Sequence, residues 1–104
     1  MPTLYEYFGL LIHFYALEHL PIHVHCDYQD RASKAEIIFK DGKVERIQII
    51  NVRGKEPLRE PQLTDFRLVV ERNAADIVKK WNDFFILNKR IKKVVIRKRY
   101  GRVK

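Results

Sequence analysis

The stretch Ala35-Glu36-Ile37-Ile38-Phe39-Lys40-Asp41-Gly42-Lys43-Val44-Glu45-Arg46-Ile47-Gln48-Ile49-Ile50-Asn51-Val52 decides the fold class. Two runs rich in β-branched and aromatic residues flank Asp41-Gly42. An Asp-Gly pair favours a two-residue turn, because both central positions of such a turn take positive φ. The stretch therefore reads as a hairpin of two strands, Ala35 to Lys40 and Lys43 to Val52.

Working outward toward the N-terminus, more strands appear. Leu4 to Phe8 is a first candidate, ended or bulged at Gly9. Leu10 to Leu17 is a second, rich in aromatic and aliphatic side chains. Residues 18–22 contain Pro21 and read as a turn. His23 to Tyr28 alternates polar and apolar, the period of a strand. Gln29 to Ser33 is a polar turn. On the other side of the hairpin, residues 53–62 hold Gly54, Pro57 and Pro61 and read as a loop.

Beyond that loop the period changes. Phe66, Val69, Val70, Ala74, Ile77, Val78, Trp81, Phe84 and Phe85 recur at spacings of three and four, which marks one face of a helix. Thr64 or Asp65 is the expected cap. Asn73 is a candidate interruption, but the apolar stripe runs through it. One long helix from about Thr64 to Leu87 is expected, its face covering the sheet. Ile91 to Tyr100 then alternates again, with Val94, Ile96 and Tyr100 on one face and Lys93, Arg97 and Arg99 on the other. The expected fold is α+β: a small antiparallel sheet of about five to six strands packed against one long helix, with a basic C-terminal strand. Residues 1–104 are read as a single domain, a core of 1–88 followed by 89–104.

The 104 residues suffice for one modest core, and a hydrophobic fraction of 46% with six Phe, five Tyr and one Trp is that of a packed domain. Cys26 is the only cysteine, so no intramolecular disulfide forms and a cytoplasmic setting is expected. Glu6, Gly9 and His13 break the first apolar stretch, so neither a signal peptide nor a membrane span is read. The net charge of +8 is unevenly placed. Lys89 to Lys104 contains nine Lys or Arg residues and no acid, while the rest carries twelve basic residues against thirteen acidic ones. A near-neutral body with a basic terminus suits a polyanionic partner: nucleic acid, an acidic protein or a membrane surface. Lys89, Arg90, Lys93, Arg97, Lys98, Arg99 and Arg102 are the candidate contacts, with Tyr100 available to stack on a base. The plainer reading is a solvated edge strand, since lysines on an edge block unwanted pairing. A terminal strand also invites exchange or edge pairing between copies, so a homodimer is a further expectation.

All four histidines lie between positions 13 and 25. His23 and His25 are two apart on a strand and share a face. Antiparallel pairing of His13 with His25 and Tyr15 with His23 gathers three imidazoles and a phenol on one face. Ile12, Phe14, Val24 and Cys26 then occupy the other face as core, and His19 sits in the connecting turn. Grouped imidazoles hold divalent transition metals such as zinc, so His13, His19, His23 and His25 are the candidate metal ligands, with Asp27 as a further ligand or a base. The plainer reading is a partly exposed His/Tyr surface with local hydrogen bonds.

Met1-Pro2-Thr3, Tyr7-Phe8-Gly9, Ile12-His13-Phe14-Tyr15, His19-Leu20-Pro21-Ile22-His23-Val24-His25 and the helix end at Trp81-Asn82 together resemble a bacterial domain-of-unknown-function family. Its members begin Met-Pro-Thr, carry a Phe-Gly pair and a His-x-Pro-Pro-His-x-His segment, and continue into a short sheet and a helix ending near a Trp. The likeness spans about residues 1–87 by motif order. Ile22 stands where the pattern has a second proline, and nothing carries over to the basic strand after Asn88. Frequent placement of the family near toxin–antitoxin or similar small operons implies a binding role. His19, His23 and His25 match its characteristic segment, to which the family assigns no role.

No phosphate loop, dinucleotide fingerprint or nucleophile elbow is present. Ser33 is the only serine, Cys26 is expected to face the core, and Glu56, Arg59 and Glu60 are expected to stay solvated. Two functional classes follow. One is a small binding module, toxin–antitoxin-associated or regulatory, that contacts nucleic acid or an acidic protein through the basic strand. The alternative is a metal-dependent, hydrolytic activity at the histidine cluster. No catalytic residue is assigned.

Overall fold

The computed structural model describes residues 2–14 and 22–101. It is α+β. Five strands, β1 (Thr3–Tyr7), β2 (Leu10–His13), β3 (His23–Tyr28), β4 (Arg31–Lys40) and β5 (Lys43–Asn51), are followed by helices α1 (Glu60–Arg72) and α2 (Ala74–Phe85) and a short strand β6 (Val94–Ile96). The strands form one sheet in the order β5-β4-β3-β2-β1-β6. Neighbours among the first five are antiparallel. β6 lies parallel to β1, so the sheet is mixed rather than purely antiparallel. That direction follows from the helical crossover, which carries the chain from the β5 edge back to the opposite edge.

Two-residue turns set the registers. Asp41 and Gly42 take φ of 54° and 77°, the positive values anticipated for the central hairpin. Phe8 and Gly9, at 46° and 91°, join β1 to β2 in the same way. Gln29 takes φ of 57°, and Tyr28 pairs with Arg31. The polar turn expected over Gln29 to Ser33 is therefore only two residues long. Ser33 belongs to β4, where it is buried and its Oγ accepts the Leu58 N–H at 3.1 Å.

The helix differs from expectation at both ends and in the middle. It starts at Glu60, with Pro61 in its first turn, where a missing N–H costs nothing. Thr64 and Asp65 lie inside it and do not cap it. The Thr64 hydroxyl instead donates to the Glu60 carbonyl at 3.0 Å. At Asn73 the helix breaks in two. The Asn73 side chain donates to the Val69 carbonyl at 2.8 Å, which its own backbone N–H also reaches at 3.1 Å. A side-chain amide competing for a ladder carbonyl loosens the turn, and Asn73 sits at φ −119°, ψ 18°. The apolar stripe survives because the Ile77 N–H still bonds the Asn73 carbonyl at 2.8 Å.

Pairing divides the sheet by parity. Tyr5, Tyr7, Leu10, Ile12, Val24, Cys26, Ala35 and Ile37 are buried with Phe14, Leu58, Phe66, Val69, Val70 and Ile77 in one core. The Tyr5 hydroxyl, deep in that core, donates to the Asp76 carboxylate of α2 and ties the helix layer to the sheet. No helix among the described residues is long and apolar enough to cross a membrane.

Two substitutions test these constraints. A Cβ at Gly9 would sit 2.9 Å from Cε1 of Tyr28, at a φ that L residues avoid. Gly9→Ala is expected to lower stability by about 1–3 kcal/mol, read from the denaturant midpoint. At the β5 edge, Arg67 Nη1 donates to the Ile47 carbonyl at 3.0 Å. Ile47 pairs with Ile37, whose N–H bonds Ile22 on the side of β3, so the Ile47 backbone groups point outward and Arg67 takes up the carbonyl. Arg67→Ala is expected to raise the sedimentation coefficient with concentration, while the wild type stays unchanged over the same range.

Candidate functional site

The C-terminal strand is shorter than its alternation implies. Only Val94–Ile96 pairs, with Tyr5, Glu6 and Tyr7 respectively. Ile91, Ile96 and Tyr100 pack against the core, whereas Val94 is 43% exposed and does not dock the strand as its position predicted. Tyr100 is the main anchor. Its backbone N–H donates to the Tyr7 hydroxyl at 2.9 Å, and its ring stacks on Tyr7 with centroids 5.4 Å apart. Its hydroxyl accepts from Asn73 Nδ2 at 3.1 Å, and the Arg72 guanidinium lies 5.2 Å over its ring. The residue that breaks the helix thus also fixes the end of the chain.

This anchoring arranges the cations. Lys93 Nζ pairs with Glu6 at 3.0 Å. Arg99 pairs with Asp65 at 3.7 Å and lies 4.3 Å over the Phe8 ring. Each of these two candidate contacts is positioned by an acid far away in sequence. Arg97, Lys98 and Arg99 line a cavity of about 600 Å3 together with Arg72 and Tyr100. Lys89 and Arg90 border a separate cavity of about 360 Å3 beside Phe84 and Phe85. Among the described residues, Lys89, Arg90, Arg97 and Lys98 make no ion pair. Arg102 lies outside the described residues. Sequence reading missed Arg72, Glu6 and Asp65, and the only local hint was Arg72 standing next to the helix interruption.

The histidine face forms in the expected register. His13 pairs with His25 and Ile12 with Cys26, which puts Ile12, Val24 and Cys26 in the core and the imidazoles on the face away from the helices. Tyr15 and His19 lie outside the described residues, so the Tyr15–His23 pairing does too. The His13 and His25 rings stack, and the His23 ring is tilted against His25. His13 and His25 centroids are 5.8 Å apart at 22°, and those of His23 and His25 are 5.5 Å apart at 58°. His13 Nε2 meets Asp27 Oδ2 at 3.0 Å and its Nδ1 meets the Phe14 carbonyl at 3.3 Å. Asp27 is thereby committed to His13. Among the described residues no group of three or more His, Cys, Asp or Glu side chains is arranged to hold a metal ion.

His25 is 6% exposed. Burial, then the neighbouring His23, His13 and Lys34, push its pKa down to about 4. Cys26 faces the core as expected, and burial raises its thiol pKa, leaving it inert.

The pH dependence has a definite sign. The unfolded chain takes up a proton at His25 near its ordinary value of 6.5, while the folded chain resists until about 4. Stability is therefore full above pH 6.5 and falls as pH drops toward 4, by an amount on the order of 3 kcal/mol. His25→Gln is expected to flatten that slope in urea unfolding between pH 7 and 4. A His25 ring titrating near 6.5 by NMR would contradict the assignment.

The family model of a domain of unknown function, DUF4160, matches residues 9–82. The match takes in β2 to β5, α1 and most of α2, and leaves β1 and β6 outside. No curated protein and no solved structure matches the chain.

Proposed function

The chain belongs to the family of the domain of unknown function DUF4160, and from that premise we propose that it is a binding module whose C-terminal surface holds a polyanionic partner. One observation carries the reading. Tyr100 is locked to Tyr7 and Asn73, so Arg97, Lys98 and Arg99 are gathered with Arg72 of α1 around one cavity instead of trailing in solvent. A segment whose backbone is already anchored binds anions without first paying to order that backbone. Asp65 offsets part of Arg99, but Arg97 and Lys98 have no such neighbour among the described residues. A place in a toxin–antitoxin-like or regulatory complex suits a module that binds. The histidine face, with its stacked rings and its Asp27–His13 pair, favours no second reading.

Salt dependence tests the proposal. With three to four cations engaged, the logarithm of affinity for a labelled single-stranded oligonucleotide or oligo-glutamate is expected to fall with log salt at a slope of roughly −2 to −3. Replacing Arg97 and Lys98 together by alanine should reduce the slope by about 1.4. If neither probe binds at low salt, the reading is wrong.

A further inference from the structure

We propose that β6 is a docking edge, and that an extended acidic segment of a partner protein, apolar at its centre, adds to the sheet beside it as a seventh strand. This rests on the C-terminal surface being a site for polyanions and says which kind.

The sheet ends in β5 on one side and β6 on the other. On the β5 edge Arg67 takes up the Ile47 carbonyl, one acceptor of that strand. The β6 edge instead presents Val94 and Val95, 43% and 38% exposed, at the end of the sheet. A phosphate backbone has no use for two valines, and an added strand does. Nor is a bare ring left for a base at this end. Arg99 lies over Phe8, and Tyr100 is engaged by both Tyr7 and Arg72.

Charge selects the occupant. Lys93 and Arg97 flank β6, one immediately before Val94 and one immediately after Ile96. Lys93 keeps its side chain 47% exposed despite its bond to Glu6. Antiparallel pairing of two copies about Val95 would set Lys93 against Arg97 twice, a like-charge opposition that disfavours a homodimer at this edge. The complement is a strand that reads acidic, any residue, apolar, any residue, acidic. Its outer carboxylates meet Lys93 and Arg97, its centre covers Val95, and its backbone bonds β6.

The test compares three probes on the full chain: the peptide Glu-Glu-Val-Val-Val-Glu-Glu, the peptide Glu-Glu-Gly-Ser-Gly-Glu-Glu of equal charge, and a single-stranded oligonucleotide. Titrations are run with amide hydrogen exchange at residues 94–96. The valine peptide is expected to bind at least tenfold more tightly than its Gly-Ser counterpart and to protect the β6 amides. N-methylation at its central valine, or Val94→Ser with Val95→Ser in the protein, should erase that preference while leaving the Gly-Ser peptide's affinity unchanged. Equal binding of the two peptides without protection, or tighter binding of the oligonucleotide, overturns strand addition but leaves the polyanion site standing. Failure of all three probes to bind at low salt overturns both.

Discussion

The pairing of Ile12 with Cys26 is the constraint on which the rest of the sheet depends. Both side chains are fully buried, so they fix which face of β2 and β3 is covered by the helices. Strand parity then leaves no choice for the neighbours. His13 and His25 must lie on the opposite face, and a slip of one residue would bury imidazoles and expose the core. The same parity runs outward through β1, where Tyr5 and Tyr7 face the helices and Glu6 faces away. Glu6 is thereby delivered to Lys93 on the strand beside it. One buried apolar contact thus orders the histidine face and one of the cations near the C-terminus.

Polar groups inside the core do the complementary work of joining layers. Tyr5 reaches Asp76 on α2, Ser33 holds the Leu58 N–H at the start of the connection into α1, and Tyr7 receives the Tyr100 N–H from the end of the chain. A buried hydroxyl left without a partner is costly, so each such bond also penalises alternative placements of the element it holds. For the Tyr5 hydroxyl, burial and the Asp76 carboxylate beside it both favour the neutral form, which keeps it a donor across the physiological range.

Local chemistry was legible in the sequence, and contacts between distant segments were not. Asp41-Gly42 announced the hairpin because a two-residue turn needs positive φ at both positions. The face shared by His13 and His25 was readable because a one-residue slip would separate Ile12 from Val24 and Cys26. The helical stripe was readable too, but the break at Asn73 was hidden. A side-chain amide that takes a ladder carbonyl leaves the hydrophobic period intact. Pro61 looked like part of a loop, since the same residue breaks a helix interior and suits a first turn. The parallel sense of β6 depends on where the crossover returns, which no local pattern encodes. The cations of the C-terminal surface were visible as a run, but Arg72, Glu6 and Asp65, which complete or position them, come from elements far away in sequence.

Charge distribution links these observations. A basic segment of this density repels itself, and left unanchored it would favour an extended chain over a docked one. Docking is achieved with few acids, Glu6 for Lys93 and Asp65 for Arg99, together with rings that accept guanidinium groups over their faces. Neutralising every cation would have held the segment more firmly and removed its capacity to attract anions. Arg97 and Lys98 are spared, and they sit between Ile96 and Tyr100, which both pack against the core. The attachment is therefore apolar and aromatic where it bears on stability, and cationic where it faces solvent. Raised salt should screen these cations well before it loosens the attachment, because burial of Ile96 and the Tyr100–Tyr7 stack are not screened.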